Sequence, residues 1–149
     1  MTIRAISPIA EKQIQYLNHY KVMEIISVED VRTLVHTFYE KVQSDELIGP
    51  IFNSRIEGRW PEHLEKMVRF WQTVLLNEHT YQGSPFAPHA DLPLEKEHFE
   101  RWLALFYENI DVHFTGEKVI EAKWRAEKMA EMFQYKIDYY RNKPSKSII

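Results

Sequence analysis

Seven histidines and no cysteine bound the chemistry open to this chain. Without thiols there is no disulfide framework, no thiolate metal site, no cysteine nucleophile and no C-x-x-C-H attachment for a covalent haem. The side chains suited to a ligand site are Tyr39, His63, His89 and Trp102, on segments separated by turn signals. His89 follows Pro88 in an irregular stretch, and spacing by itself does not join it to the other three. A loop histidine is ordinarily solvated, and an aromatic on a helical stripe is ordinarily core. From the residues alone, the reading is a helical, cysteine-free protein whose loop imidazole could hold a metal or a haem. Glu95-x-x-His98 has the spacing used in di-iron bundles, but such sites need the motif twice and the sequence holds no second copy. His19, His36, His79, His98 and His113 are assigned to the surface.

The elements that must position these residues are helices. Aromatics make up 13% of the chain against only four glycines, and the apolar spacing follows a helical period. Ser27 with Asp30 three positions on forms a capping box, each side chain satisfying a free backbone N–H at a helix start. The helix that follows carries Val28, Val31, Val35, Phe38 and Val42 on one stripe, with Tyr39 at its edge. Gly49-Pro50 interrupts the pattern, and a short connection with Ile51 and Phe52 leads to Trp60-Pro61, where proline suits a first helical turn. The next helix turns Leu64, Met67, Val68, Trp71, Val74 and Leu75 inward, and His63 borders that face one turn before Met67. From Asn77 to Pro93 the prolines and Gly83 oppose any long helix. Phe99, Trp102, Leu103, Phe106 and Ile110 line a further helix, and Val119, Ala122, Ala126, Met129, Phe133, Ile137 and Tyr140 the last.

At 149 residues and 44% apolar content the chain fits one domain with a sizeable core. The 19 basic residues against 22 acidic ones, with no run of like charge, lack the footprint of a nucleic-acid binder. A small-molecule or cofactor role fits better. No stretch approaches the ~18 uncharged residues of a membrane span. The opening Met-Thr-Ile-Arg-Ala reaches Glu11 and Lys12 before an apolar run can develop, unlike a secretory signal. The expectation is a cytoplasmic protein that binds neither nucleic acid nor membrane. Residues 1–26 read as an N-terminal extension able to add a short helix, 27–141 as the domain, and 142–149 as a frayed C-terminal tail.

One family matches these residues in order and spacing. The runs Phe38-Tyr39-Glu40-Lys41-Val42, Leu47 to Asn53, Trp60-Pro61-Glu62-His63, Phe70-Trp71, Pro88 to Pro93 and Phe99-Glu100-Arg101-Trp102 resemble the group III truncated haemoglobins. The resemblance spans Ser27 to Arg141 and implies an all-α truncated globin fold, a two-over-two helical sandwich around one non-covalent haem b. It implies His89 as the proximal ligand to the haem iron, leaving the other axial position for a gas. Tyr39 matches the distal tyrosine, Phe52 a phenylalanine on the haem face, His63 the histidine at the distal position, and Trp102 the distal tryptophan. Met67, Phe70 and Trp71 become apolar haem contacts, and Lys66 and Arg69 candidate partners of the haem propionates. The glycine pairs that mark other truncated globins are absent, as in this group. The N-terminal stretch is longer than the compact globin needs.

Those assignments carry a chemical expectation. Dioxygen that draws electron density from ferrous haem gains partial negative charge, to which a phenol O–H and an indole N–H can donate in a dry pocket. Each such bond contributes ~0.5–1.5 kcal/mol, up to about tenfold in affinity. Two donors slow ligand escape, which suits redox chemistry, such as peroxide reduction or nitric oxide detoxification, better than transport. The ligands implied are dioxygen, nitric oxide, carbon monoxide or peroxide. No flavin or nicotinamide fingerprint is present, so a separate reductase would return the iron to the ferrous state. A non-catalytic oxygen-binding or gas-sensing globin and a haem-free helical interaction module remain the alternatives. Whether His63 touches the ligand, gates the pocket or swings outward is left open.

Overall fold

The computed structural model describes residues 7–12 and 23–143. Helix α1 spans Val28–Ser44. It starts where the capping box predicts: the Asp30 N–H donates to Ser27 Oγ at 3.3 Å, and the Ser27 N–H donates to Asp30 Oδ2 at 3.1 Å. Its buried face holds Val31, Leu34, Val35, Phe38, Tyr39 and Val42. Tyr39 is therefore inside rather than at an edge.

The connection expected after Gly49-Pro50 is itself helical, α2 over Gly49–Ile56. Pro50 lies in its first turn, where a missing N–H costs nothing, and eight residues are too few for periodicity to reveal a helix. Helix α3 follows at Trp60–Leu76, with Pro61 in its first turn, and ends at Asn77 in the left-handed conformation, φ 55°. The stretch beyond it is irregular apart from one 3-10 turn, Ala87–His89. Helix α4 runs Lys96–His113 and helix α5 Glu117–Asn142. Gly116, between them, has φ 100°, a region that favours glycine.

Helix α1 packs against α3 on one side and α4 on the other, and α5 packs on α4. The core gathers around Phe38, whose ring meets Tyr39, Trp102 and Phe106 edge-on at 5.0, 5.6 and 5.3 Å. Phe106 is in turn stacked between Trp71 and Trp102, at 5.2 and 5.7 Å. One buried polar residue, Asn109, ties α4 to α1 by donating to the Leu34 carbonyl and to Thr37 Oγ1.

The helical reading overlooks one feature. Met23–Glu24 forms a two-residue strand, β1, parallel to β2, Phe114–Thr115, and Ile25 beyond it is buried in the core. A pairing this short leaves no periodic trace. Residues 8–12 are helical, while 1–6, 13–22 and 144–149 lie outside the described residues, and with them most of the expected extension and tail. Among the described residues no helix is long and apolar enough to cross a membrane.

Candidate functional site

Helices α1 to α5 each contribute to one cavity, α2 through Phe52, and the irregular segment adds Tyr81, Pro85, Pro88 and His89. Its volume is about 120 Å³. Helix α1 supplies Tyr39; α3 supplies His63, Lys66, Met67, Phe70 and Trp71; α4 supplies Trp102. Each is inward because it falls on the apolar stripe of its helix or one position beside it. The fold thus brings together nearly every residue singled out from the sequence. Arg69 is the exception. It is exposed on the outside of α3, 3.8 Å from Glu65, because it follows the inward Met67 by two residues, about 200° around the helix.

The rim takes its charge from elsewhere. A shallower cavity shares Phe52, His63, Lys66, Pro88 and His89 with the first and adds Arg55, Arg59 and Glu62. Both arginines lie at or just beyond the end of α2, a segment that did not read as helix, so their shared position was hidden in the sequence. Other lining residues went unassigned to the site for a different reason. Met129 and Phe133 look like ordinary core positions of α5, and lining a cavity leaves the same apolar signature as packing.

His98, expected at the surface, is half-buried and lines the cavity; its Nδ1 accepts the Glu95 N–H at 2.8 Å, starting α4. The Glu95-x-x-His98 spacing therefore serves a helix cap. His113 is also only half-buried rather than fully solvated, while His36 and His79 are exposed and His19 lies outside the described residues.

His89 is held in one orientation. Its Nδ1 lies 2.8 Å from the Pro85 carbonyl, and its ring packs on Phe133 at a centroid distance of 4.8 Å. A carbonyl can only accept, so Nδ1 carries the proton and Nε2 keeps its lone pair. Burial lowers the His89 pKa, the Pro85 bond partly opposes this, and the nearby Arg55 charge adds to it. The ring is neutral at pH 7. A fixed neutral imidazole with one free nitrogen beside an apolar cavity is the donor set of a single axial haem ligand, so these residues fit the group.

The opposite chemistry sits at Tyr39 and His63, whose rings meet edge-on at 5.1 Å. Burial raises the Tyr39 pKa, keeping its phenol protonated and able to donate. Burial, then the neighbouring His89 and Lys66, pulls the His63 pKa down to about 4. His63 Nε2 is buried with no hydrogen-bond partner, an unsatisfied atom that a ligand in the cavity could meet.

The signature of the bacterial-like globins matches residues 22–136. Over 115 residues the chain is 40% identical to the group 3 truncated hemoglobin ctb of Campylobacter jejuni, spanning 74% of this chain and 91% of that protein. The chain belongs to the group III truncated haemoglobins. Consistent with this, the crystal structure of the group III truncated hemoglobin from Campylobacter jejuni aligns with this globin at a TM-score of 0.73 and 38% identity, over 80% of this chain and 97% of that one. Membership makes this globin a haem protein that binds small gaseous ligands such as dioxygen.

Proposed function

We propose that this globin holds haem b through His89 Nε2 and uses it for redox chemistry on dioxygen, peroxide or nitric oxide, rather than for bulk oxygen transport. The observation that carries this reading is one cavity lined both by a neutral, tautomer-locked imidazole and by the hydrogen-bond donors Tyr39 and Trp102. Haem held by His89 would supply a ligand-binding iron and a one-electron redox centre.

The remaining work belongs to the protein. Pro85 and Phe133 orient His89, so that its Nε2 faces the ligand site without a competing proton. Phe52, Met67, Phe70 and Trp71 line the cavity with apolar surface and limit water, which strengthens every polar contact inside it. Tyr39 Oη and Trp102 Nε1 donate to a ligand that carries partial negative charge. His63, neutral at pH 7, adds a nitrogen that otherwise has no partner. Lys66, Arg55 and Arg59 at the mouth offer cationic partners for the haem carboxylates, in place of the pair Lys66 and Arg69. No flavin or nicotinamide fingerprint occurs in the chain, so reduction calls for a separate reductase.

The test is optical. Ferrous, ferric and carbonyl spectra of the native chain should show a histidine-ligated haem, and His89→Ala should lose the haem or its proximal signature. Retention of haem with unchanged spectra in the variant would refute the ligand assignment. Slow dioxygen release together with peroxide consumption supports the redox reading. Fast release with no peroxide reaction would leave a storage or sensing globin instead.

A further inference from the structure

Among the described residues Asn109 is the one polar side chain buried in the core, with 0% of its surface exposed. Its partners fix which way the amide points. The Leu34 carbonyl can only accept, so Nδ2 faces α1, donating to that oxygen at 3.3 Å and to Thr37 Oγ1 at 3.0 Å. Oδ1 is left buried with no partner. Neither acceptor depends on Asn109: the Thr37 hydroxyl donates to the Thr33 carbonyl at 2.6 Å, and the Leu34 carbonyl lies mid-helix, where the i+4 N–H reaches it. A side chain that makes two such bonds and strands one buried oxygen adds little net stability.

Its contribution is direction. Apolar packing between α1 and α4 tolerates small slides of one helix along the other, whereas two hydrogen bonds from one nitrogen are satisfied in a single register. That register spaces the two donors of the cavity. Asn109 follows Trp102 by seven residues, two turns along the same side of α4, and Phe106 between them stacks on Trp102 at 5.7 Å. On α1, Thr37 stands two residues before Tyr39, and Phe38 between them meets the Trp102 ring at 5.6 Å. A slide of α4 against α1 would displace Trp102 Nε1 from Tyr39 Oη by the same amount, and hydrogen bonds to one small ligand weaken steeply with such misplacement.

Resting on the reading of Tyr39 and Trp102 as ligand donors, we propose that Asn109 is a positioning residue, which holds α4 in the register on α1 that lets both donors reach the same ligand. A buried polar group of low net stability kept for one packing arrangement is the role such groups fill best.

Asn109→Leu tests this, because leucine keeps the branch at Cγ and removes the amide together with its stranded oxygen. The haem-free variant should melt within about 5 °C of the native chain. In the ferrous carbonyl form of the full-length protein, the infrared stretch of bound carbon monoxide should broaden or split as the donors take several spacings. Dioxygen should leave about two- to tenfold faster. Thr37→Val, which removes one of the two acceptors, should broaden the band less. A native band and release rate in Asn109→Leu would overturn the proposal; should that variant fail to fold, a native band in Thr37→Val would do the same. Tyr39→Phe and Trp102→Phe complete the set. A band blind to both sinks the donor reading and the role of Asn109 with it, whereas a band that answers to them but not to Asn109→Leu sinks the role of Asn109 alone.

Discussion

His63 shows what one buried atom contributes. Its Nε2 has no partner, and an unsatisfied buried polar atom costs about 1–3 kcal/mol. His63→Phe should therefore raise the stability of the haem-free protein at pH 7, measured by urea unfolding. The same variant separates a pH effect. With a folded pKa of about 4 against an ordinary 6.5, the unfolded chain takes up a proton in that window that the folded chain refuses. Stability is then fully present above about pH 6.5 and falls as pH drops toward 4, by the order of 1–3 kcal/mol after allowing for the solvent the ring still meets. His63→Phe should flatten part of that slope, and His89, shifted the same way, should keep the rest. An unchanged slope would mean that His63 binds its proton equally well in the folded and unfolded chain. Tyr39→Phe removes a donor but little volume. Dioxygen should leave the haem-loaded variant up to about tenfold faster in stopped-flow release, and Trp102→Phe should act similarly.

At the scale of elements, α2 is the segment on which local signals and packing disagree most. It begins at Gly49 because the chain passes directly against α1 there. A Cβ at that position would sit 2.9 Å from the carbonyl oxygens of Val42 and Gln43, both backbone atoms unable to move aside. Gly49→Ala should cost about 1–3 kcal/mol and lower the Tm by about 3–9 °C in a thermal melt. An unchanged melt would show that α2 can shift away from α1 at no cost. Such a shift would carry Phe52 and the mouth arginines with it. The capping box at Ser27 was legible because all its parts lie within four residues. The approach of α2 to α1 was not, because the contact is set by how two helices cross.

At the scale of the whole molecule, the irregular segment that bears His89 is held from two sides. From α2, Arg55 Nη2 donates to the Pro88 carbonyl at 3.1 Å and pairs with the Asp91 carboxylate. From the end of α5, Arg141 donates to the Leu92 carbonyl at 3.0 Å and to Glu95 at 2.8 Å. Exposed ion pairs add only about 0–1 kcal/mol to global stability, so Arg55→Ala should barely move the Tm. It should instead quicken haem transfer to an acceptor protein, and an unaltered transfer rate would exclude this clamp. Local regularities of the sequence determined the four long helices, their inward stripes and the cap at Ser27, because a 3.6-residue period and a three-residue box are complete within one segment. The order of motifs also brought the family within reach. Only the tertiary structure decided that His89 is locked by Pro85 and backed by Phe133, that Arg55 and Arg59 rather than Arg69 border the cavity, and that Ile25 joins the core. These facts depend on the angles at which elements dozens of residues apart cross, and no stretch of sequence contains those angles by itself.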